Sequence, residues 1–188
     1  MLQSTLSLCV IFPALIISHV STLQENYYWR EYTGYVPPDA IAGGKDINGD
    51  DIYIGQAYIR GEGLMVVQIY PGTREIQAAI KGVKKVDKYT KILCGPLQNF
   101  SWLTVTSSNL HLVLLNKHAV IGGHEDGQGQ INIGRISYEG ETKIGKVNSF
   151  VVGDASFRFA DNNDREPVVK SYEILLYYNN DNNTLIQN

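Results

Sequence analysis

The stretch Ala40-Ile41-Ala42-Gly43-Gly44, followed by Ile52-Tyr53-Ile54-Gly55-Gln56, is answered later in the chain by Ala119-Val120-Ile121-Gly122-Gly123 and Ile131-Asn132-Ile133-Gly134-Arg135. Each later segment lies 79 positions after its counterpart, and Gly61-Glu62 and Gly140-Glu141 keep that spacing. An unbroken shared register of this length predicts two copies of one structural unit. Within and around the copies, short runs rich in Ile, Val, Tyr and Thr alternate with Gly, Asn and Asp clusters, and helical periodicity is nearly absent. That is the pattern of strands joined by tight turns.

Strands are expected over 52–59, 64–70, 75–80 and 89–94 in the first copy, and over 131–138, 143–147, 156–160 and 172–178 in the second. Gly61-Glu62-Gly63 and Glu139-Gly140-Glu141 read as hairpin turns, where Gly supplies positive φ. The apolar run 110–115 reads as one more strand. The fold class is therefore all-β: two tandem units, 27–101 and 102–178, in packed antiparallel sheets with pseudo-two-fold symmetry. An Asn-rich tail, 179–188, is expected to be disordered.

Composition narrows the function. The 188 residues carry 16 Lys and Arg against 19 Asp and Glu, a formal net charge of −3. A weakly acidic chain without a basic run argues against a nucleic-acid partner, whose phosphates demand clustered cations. Lys81, Lys84, Lys85 and Lys88 do cluster, and read as a solvated turn and strand edge. Positions 1–21 carry no charged residue and hold an apolar stretch, 6–17, too short to span a bilayer; they read as a secretory signal cleaved between Ser18 and Thr22. No other segment is long and apolar enough for membrane insertion, so an exported, extracellular protein is expected. Asn99-Phe100-Ser101 and Asn182-Asn183-Thr184 make Asn99 and Asn182 candidate glycosylation sites. Cys9 leaves with the signal, and Cys94, inside the apolar run Ile92-Leu93-Cys94, is expected to be a buried thiol rather than an intermolecular bridge.

Trp29, Val36-Pro37, Ala40-Ile41, Gly43-Gly44, Asp46 and Ile52-Tyr53-Ile54-Gly55 resemble the opening of a DM-nine repeat. The second copy adds Arg135, Gly145-Lys146 and Lys170-Ser171-Tyr172-Glu173-Ile174-Leu175, further landmarks of that family. The resemblance spans roughly 29–177. It implies an all-β protein with two intertwined repeats, and a mannose-type lectin of innate immunity that recognises glycans on microbial or host surfaces. It also implies a site in which a carboxylate after the Gly pair and a Lys on the neighbouring strand hold the sugar. The acidic position is Asp46 in the first copy and Glu125 in the second. The Lys position, 21 residues on, is Val67 in the first and Lys146 in the second.

Such a pair suits a sugar, whose vicinal hydroxyls donate to a carboxylate and accept from an ammonium. Only the second copy keeps both groups, so one site is expected around Glu125 and Lys146. Gln68 would face the opposite side of a regular strand and is a poor substitute for the missing Lys. Arg135, aligned with Gln56, is either a further polar contact or an ion-pair partner for Glu125. Tyr138 could stack on a sugar ring, although tyrosines in β-proteins more often fill cores.

Rival chemistries fare worse. Asp46-Ile47-Asn48-Gly49-Asp50-Asp51 superficially resembles a calcium loop, but lacks its sixth-position Gly and its twelfth-position Glu; an Asx-rich turn accounts for it better. His124-Glu125-Asp126, with His118 or His111, shows no spacing that holds a metal. Some members of the family carry a methyltransferase label, but this chain offers no Gly-rich turn between a parallel strand and a helix. We therefore expect no metal, no cofactor and no catalysis. One weak site would not cross-link cells, so a homodimer is expected for avidity. The alternative is a secreted interaction scaffold of the same fold that has lost sugar binding.

Overall fold

The computed structural model describes residues 26–178. The expected leader, the Asn-rich tail and Asn182 lie outside the described residues. The first half runs β1 (Tyr28–Glu31), β2 (Ala42–Lys45), β3 (Asp51–Ile59), β4 (Gly63–Ile69), β5 (Ile76–Ala79), β6 (Val83–Val86) and β7 (Thr90–Cys94). The second runs β8 (Phe100–Thr106), α1 (Leu110–Val113), β9 (His118–Ala119), β10 (Ile121–Glu125), β11 (Gly129–Tyr138), β12 (Glu141–Val147), β13 (Phe157–Arg158), β14 (Val168–Val169) and β15 (Ser171–Tyr177). The protein is all-β, with antiparallel pairing throughout.

Thirteen strands form one sheet, in which β1, β7, β3, β4, β10, β11, β12, β13 and β14 follow one another; β5 and β6 stand apart as a hairpin. The second half's β10 lies between β4 of the first half and its own β11, so strands of both halves share one hydrogen-bonded surface. The position between 101 and 102 falls inside β8, which pairs along its whole length with β15, from Phe100↔Tyr177 to Thr106↔Ser171.

The halves grip each other through reciprocal contacts. Gln56 Nε2 donates to the Gly122 carbonyl at 2.7 Å, and Arg135 Nη1 to the Gly43 carbonyl at 2.8 Å. A side chain at Gly43 would strike Ile144, and one at Gly122 would strike Val66. The Gly pairs are therefore glycine for close approach between halves, not for turn geometry. One core mixes both halves, joining Ile52, Ile54, Met65 and Ile92 with Ile131, Ile133, Ile144 and Tyr177. A second core gathers Leu110, Phe157, Phe159 and Ile174.

The expected strand over 110–115 is instead the short helix α1. Leu110, Val113 and Leu114 pack into the second core, whereas Leu112 and Leu115 face solvent. Contacts at i, i+3 and i+4 are helical; an all-apolar run hides that distinction from the sequence.

The two long hairpins also differ by one residue. In β3–β4, Ile59 pairs with Gly63 around a three-residue turn, whereas in β11–β12, Tyr138 pairs with Glu141 around the two-residue turn Glu139-Gly140. Glu139 and Gly140 both have positive φ, 51° and 87°, as a type I′ turn requires.

Candidate functional site

Strand β12 places Lys146 opposite Ile133, and β10 carries Glu125 to its end beside Gly63 of β4. A register shift between Ile121 and Gly123 bulges β10 just before this point, and bulges commonly re-aim side chains. Lys146 Nζ donates to Glu125 Oε1 at 2.5 Å. The two expected partners thus meet, but the lysine side chain is only 2% exposed and that of Glu125 12%. The ammonium does not reach the surface; it holds the carboxylate from beneath.

A second carboxylate stands over the same ammonium. Glu166 Oε1 lies 3.7 Å from Lys146 Nζ and 3.6 Å from Arg158 Nη1, and Glu166 Oε2 accepts from the Gly82 backbone N–H at 2.9 Å. Alongside, Glu62 accepts from Lys81 at 2.8 Å and Lys84 at 2.7 Å, and its carbonyl accepts from the Asp126 N–H. Hydrogen bonds from Lys81 and then Lys84 pull the Glu62 carboxyl down to about 2. Opposite charges from six segments of both halves therefore form one cluster. Glu62, Lys81, Lys84, Arg158 and Glu166 are not apparent as site residues from the sequence, because their spacing carries no motif. Two of the clustered lysines do show there, as a solvated edge; in the fold they secure Glu62.

The first half corrects the expected alignment. With one residue more in its turn, β4 brings Val67 opposite Gly55, the place that Gly145 takes opposite Gly134. The residue opposite Ile54, as Lys146 is opposite Ile133, is Gln68. Val67 is a buried core residue, and Gln68 is the positional counterpart of the lysine after all. Gln68 Nε2 donates to Tyr70 Oη at 2.5 Å, and Gln68 Oε1 accepts from the Ile144 N–H at 2.9 Å. Tyr70 Oη donates in turn to Glu141 Oε2, while Lys143 and Asn162 hold Glu141 Oε1, each at 2.8 Å. Burial raises the Glu141 carboxyl, but hydrogen bonds from Lys143, Asn162 and Tyr70 outweigh it and leave the group below its ordinary value. Gln68, Tyr70, Lys143 and Asn162 line a cavity of about 180 Å³.

Asp46 turns inward on its own loop. Its Oδ1 accepts from the N–H groups of Asn48 at 2.8 Å and Asp50 at 2.9 Å, the Asx turn expected in place of a calcium loop. The Asp50 bond leads the causes that lower its carboxyl.

Arg135 is not the partner of Glu125. Its Nε donates to Glu173 Oε2 at 2.7 Å, its Nη1 to the Gly43 carbonyl, and its guanidinium lies 4.2 Å over the Trp102 ring. The Gly43 contact crosses to the first half, while Glu173 and Trp102 hold the guanidinium from within the second. Tyr138 packs edge-on against Phe159 at 5.1 Å, a core arrangement. The Asn99 side chain is buried and its Nδ2 donates to Tyr177 Oη at 3.3 Å, so the atom a glycan would take lies inside the fold. Cys94 is a buried free thiol, pushed up to about 11 by burial first. His124 approaches Asp126 at 3.3 Å, and His111 Nε2 donates to the Ser149 carbonyl. Among the described residues, no group of three or more His, Cys, Asp or Glu is arranged to hold a metal. Nor is any helix among them long and apolar enough to cross a membrane.

The arrangement offers charge-assisted hydrogen bonds on rigid strands. Glu125 Oε1 is committed to Lys146, and among the described residues Oε2 makes no hydrogen bond, so it can accept from a ligand hydroxyl. The sequence matches no known protein-family model and no curated protein.

Proposed function

We propose that the protein is a secreted, non-catalytic, mannose-type carbohydrate-binding protein of innate immunity, belonging with the DM-nine repeat proteins that its sequence resembles. The observation that carries the reading is the fixed carboxylate of Glu125, anchored through Oε1 by a buried ammonium. A carboxylate held in place by strands and a lysine loses little freedom on binding, which favours the weak, directional bonds of a polyol. Vicinal hydroxyls of mannose donate to Oε2; Lys146 orients the acceptor rather than touching the sugar. Avidity would come from a homodimer presenting two such carboxylates to a glycan-covered surface.

Titration of mannose and a glycan panel into the signal-free protein tests the proposal, with Glu125→Gln alongside. Saturable mannose binding that the variant loses while it remains folded, as judged by circular dichroism, supports a lectin. Absence of binding by the wild-type protein favours the second reading, an interaction scaffold without sugar affinity. That reading has its own support in the burial of Lys146, whose contacts are all internal.

A further inference from the structure

Two hollows flank a ridge formed by Lys88 and Tyr89. One, of about 690 Å³, opens beside Tyr58 and Arg60; the other, of about 390 Å³, beside Arg74 and Thr90. Tyr89 is 76% exposed and Tyr58 46%, so two aromatic rings face solvent at one place. The backbone holds Tyr89 at φ 56°, left-handed space that a bulky aromatic residue rarely enters. Its carbonyl accepts from the Tyr58 N–H at 3.3 Å, so the strained turn is tied to the end of β3. Strain of this kind concentrates at ligand-binding positions.

The charges around the ridge are unevenly paired. Lys84 and Lys85 are neutralised by Glu62 and Glu75. Among the described residues, Arg60, Arg74 and Lys88 make no ion pair, and Asp87 and Glu31 are the acids that share their hollows. The surplus is therefore about one positive charge in an otherwise acidic protein. Thr90 lines the second hollow, and its buried hydroxyl oxygen has no hydrogen-bond partner among the described residues.

We propose that this ridge binds a saccharide bearing a single carboxylate, with the acid held by Arg60 and Lys88 together and the sugar ring against Tyr89. A planar guanidinium matches a carboxylate in a two-point contact. A tyrosine ring offers an apolar face to the C–H side of a pyranose while its hydroxyl stays wet. A polyanion is a worse fit, because Glu62, Glu75 and Asp87 interrupt the positive surface and no continuous track of cations remains. In the sequence only the lysines stand out as a cluster; Tyr58, Arg60 and Arg74 reach the ridge through the fold. This site is independent of Glu125.

The test is calorimetric titration of a glucuronate-containing disaccharide against its carboxyl-reduced neutral form and a ten-residue oligothymidylate. The variants are Arg60→Gln, Lys88→Gln and Tyr89→Gly, each checked for its melting temperature. The expected result is salt-sensitive binding of the acidic disaccharide alone, weakened about tenfold by each charge removal. Tyr89→Gly should lose binding while melting no lower than wild type, since glycine relieves the left-handed turn. Mannose in excess should not compete, which separates this site from the Glu125 reading. Equal affinity for the neutral disaccharide, variants that bind as wild type does, or oligothymidylate bound as tightly would each overturn the proposal.

Discussion

Replacing Lys146 with Met removes an ammonium and keeps most of its apolar stem. In the native protein that ammonium lies 2.5 Å from Glu125 and 3.7 Å from Glu166, with the three side chains 2%, 12% and 9% exposed. Glu166 retains Arg158 and the Gly82 N–H, but Glu125 is left as a largely buried, unpaired charge. Removing one partner of a buried pair costs about 3–5 kcal/mol, and the residual exposure of Glu125 places this case near 3. For a domain of this size that corresponds to a fall in melting temperature of roughly 6–12 °C. Urea unfolding near neutral pH measures it. The double variant Glu125→Gln/Lys146→Met should recover all but about 1 kcal/mol, because no charge is then stranded. A deficit below about 1 kcal/mol would refute the reasoning and make the pair an ordinary exposed bridge.

Four further outcomes are expected. Glu62 has its carboxyl lowered from 4.5 to about 2 by Lys81 and Lys84, so its contribution is complete above 4.5 and lost as pH falls toward 2; acid unfolding of Glu62→Gln should show a shallower slope across that window. Gly122→Ala should destabilise by about 3 kcal/mol, because it meets the stiff, β-branched Val66, whereas Gly43→Ala meets the flexible end of Ile144 and should cost about 1; thermal melts of the two variants decide. Cys94 should resist alkylation at pH 8 in the native protein and react at once in denaturant, as judged by mass spectrometry. Arg135→Lys should lower stability by about 1–3 kcal/mol and change Trp102 fluorescence while leaving mannose titrations unaltered, since lysine cannot serve Glu173, the Gly43 carbonyl and the Trp102 ring together.

Eight strands, β3, β4, β5, β7, β11, β12, β13 and β15, were legible because runs rich in β-branched residues lie between Gly-containing turns, and residues such as Ile52, Ile54 and Ile133 could only be core; the seven-residue β8 was not expected. Strands β2 and β10 were not, although they contain the Gly pairs that first reveal the internal similarity. Their composition is mostly small residues, whose strand character comes from close approach to the other half rather than from propensity. The Glu125–Lys146 contact was legible as a pair. Its burial was not, since it depends on Glu166, which comes from a loop 20 residues later with no patterned relation to Lys146. Arg135 misled for a similar reason: its partner Glu173 faces it across the register Arg135↔Glu173, a long-range pairing that local spacing does not encode.

The hairpin turns decide how the two halves should be compared. Counting along the chain sets Val67 against Lys146 and implies that the first half has lost its cation. Counting along the hydrogen-bonded ladder sets Gln68 there instead, because the first turn holds one more residue. The cation missing at Gln68 is supplied from the other half by Lys143, which holds Glu141 at 2.8 Å with both side chains almost fully buried. The fold thus has two locations with one buried carboxylate and one buried ammonium, Glu125 with Lys146 and Glu141 with Lys143, and the second half supplies all four groups. A lone buried charge at either place would be costly, whereas a paired one is tolerated. Charge is balanced at both places, and Val67 is a buried core residue opposite Gly55.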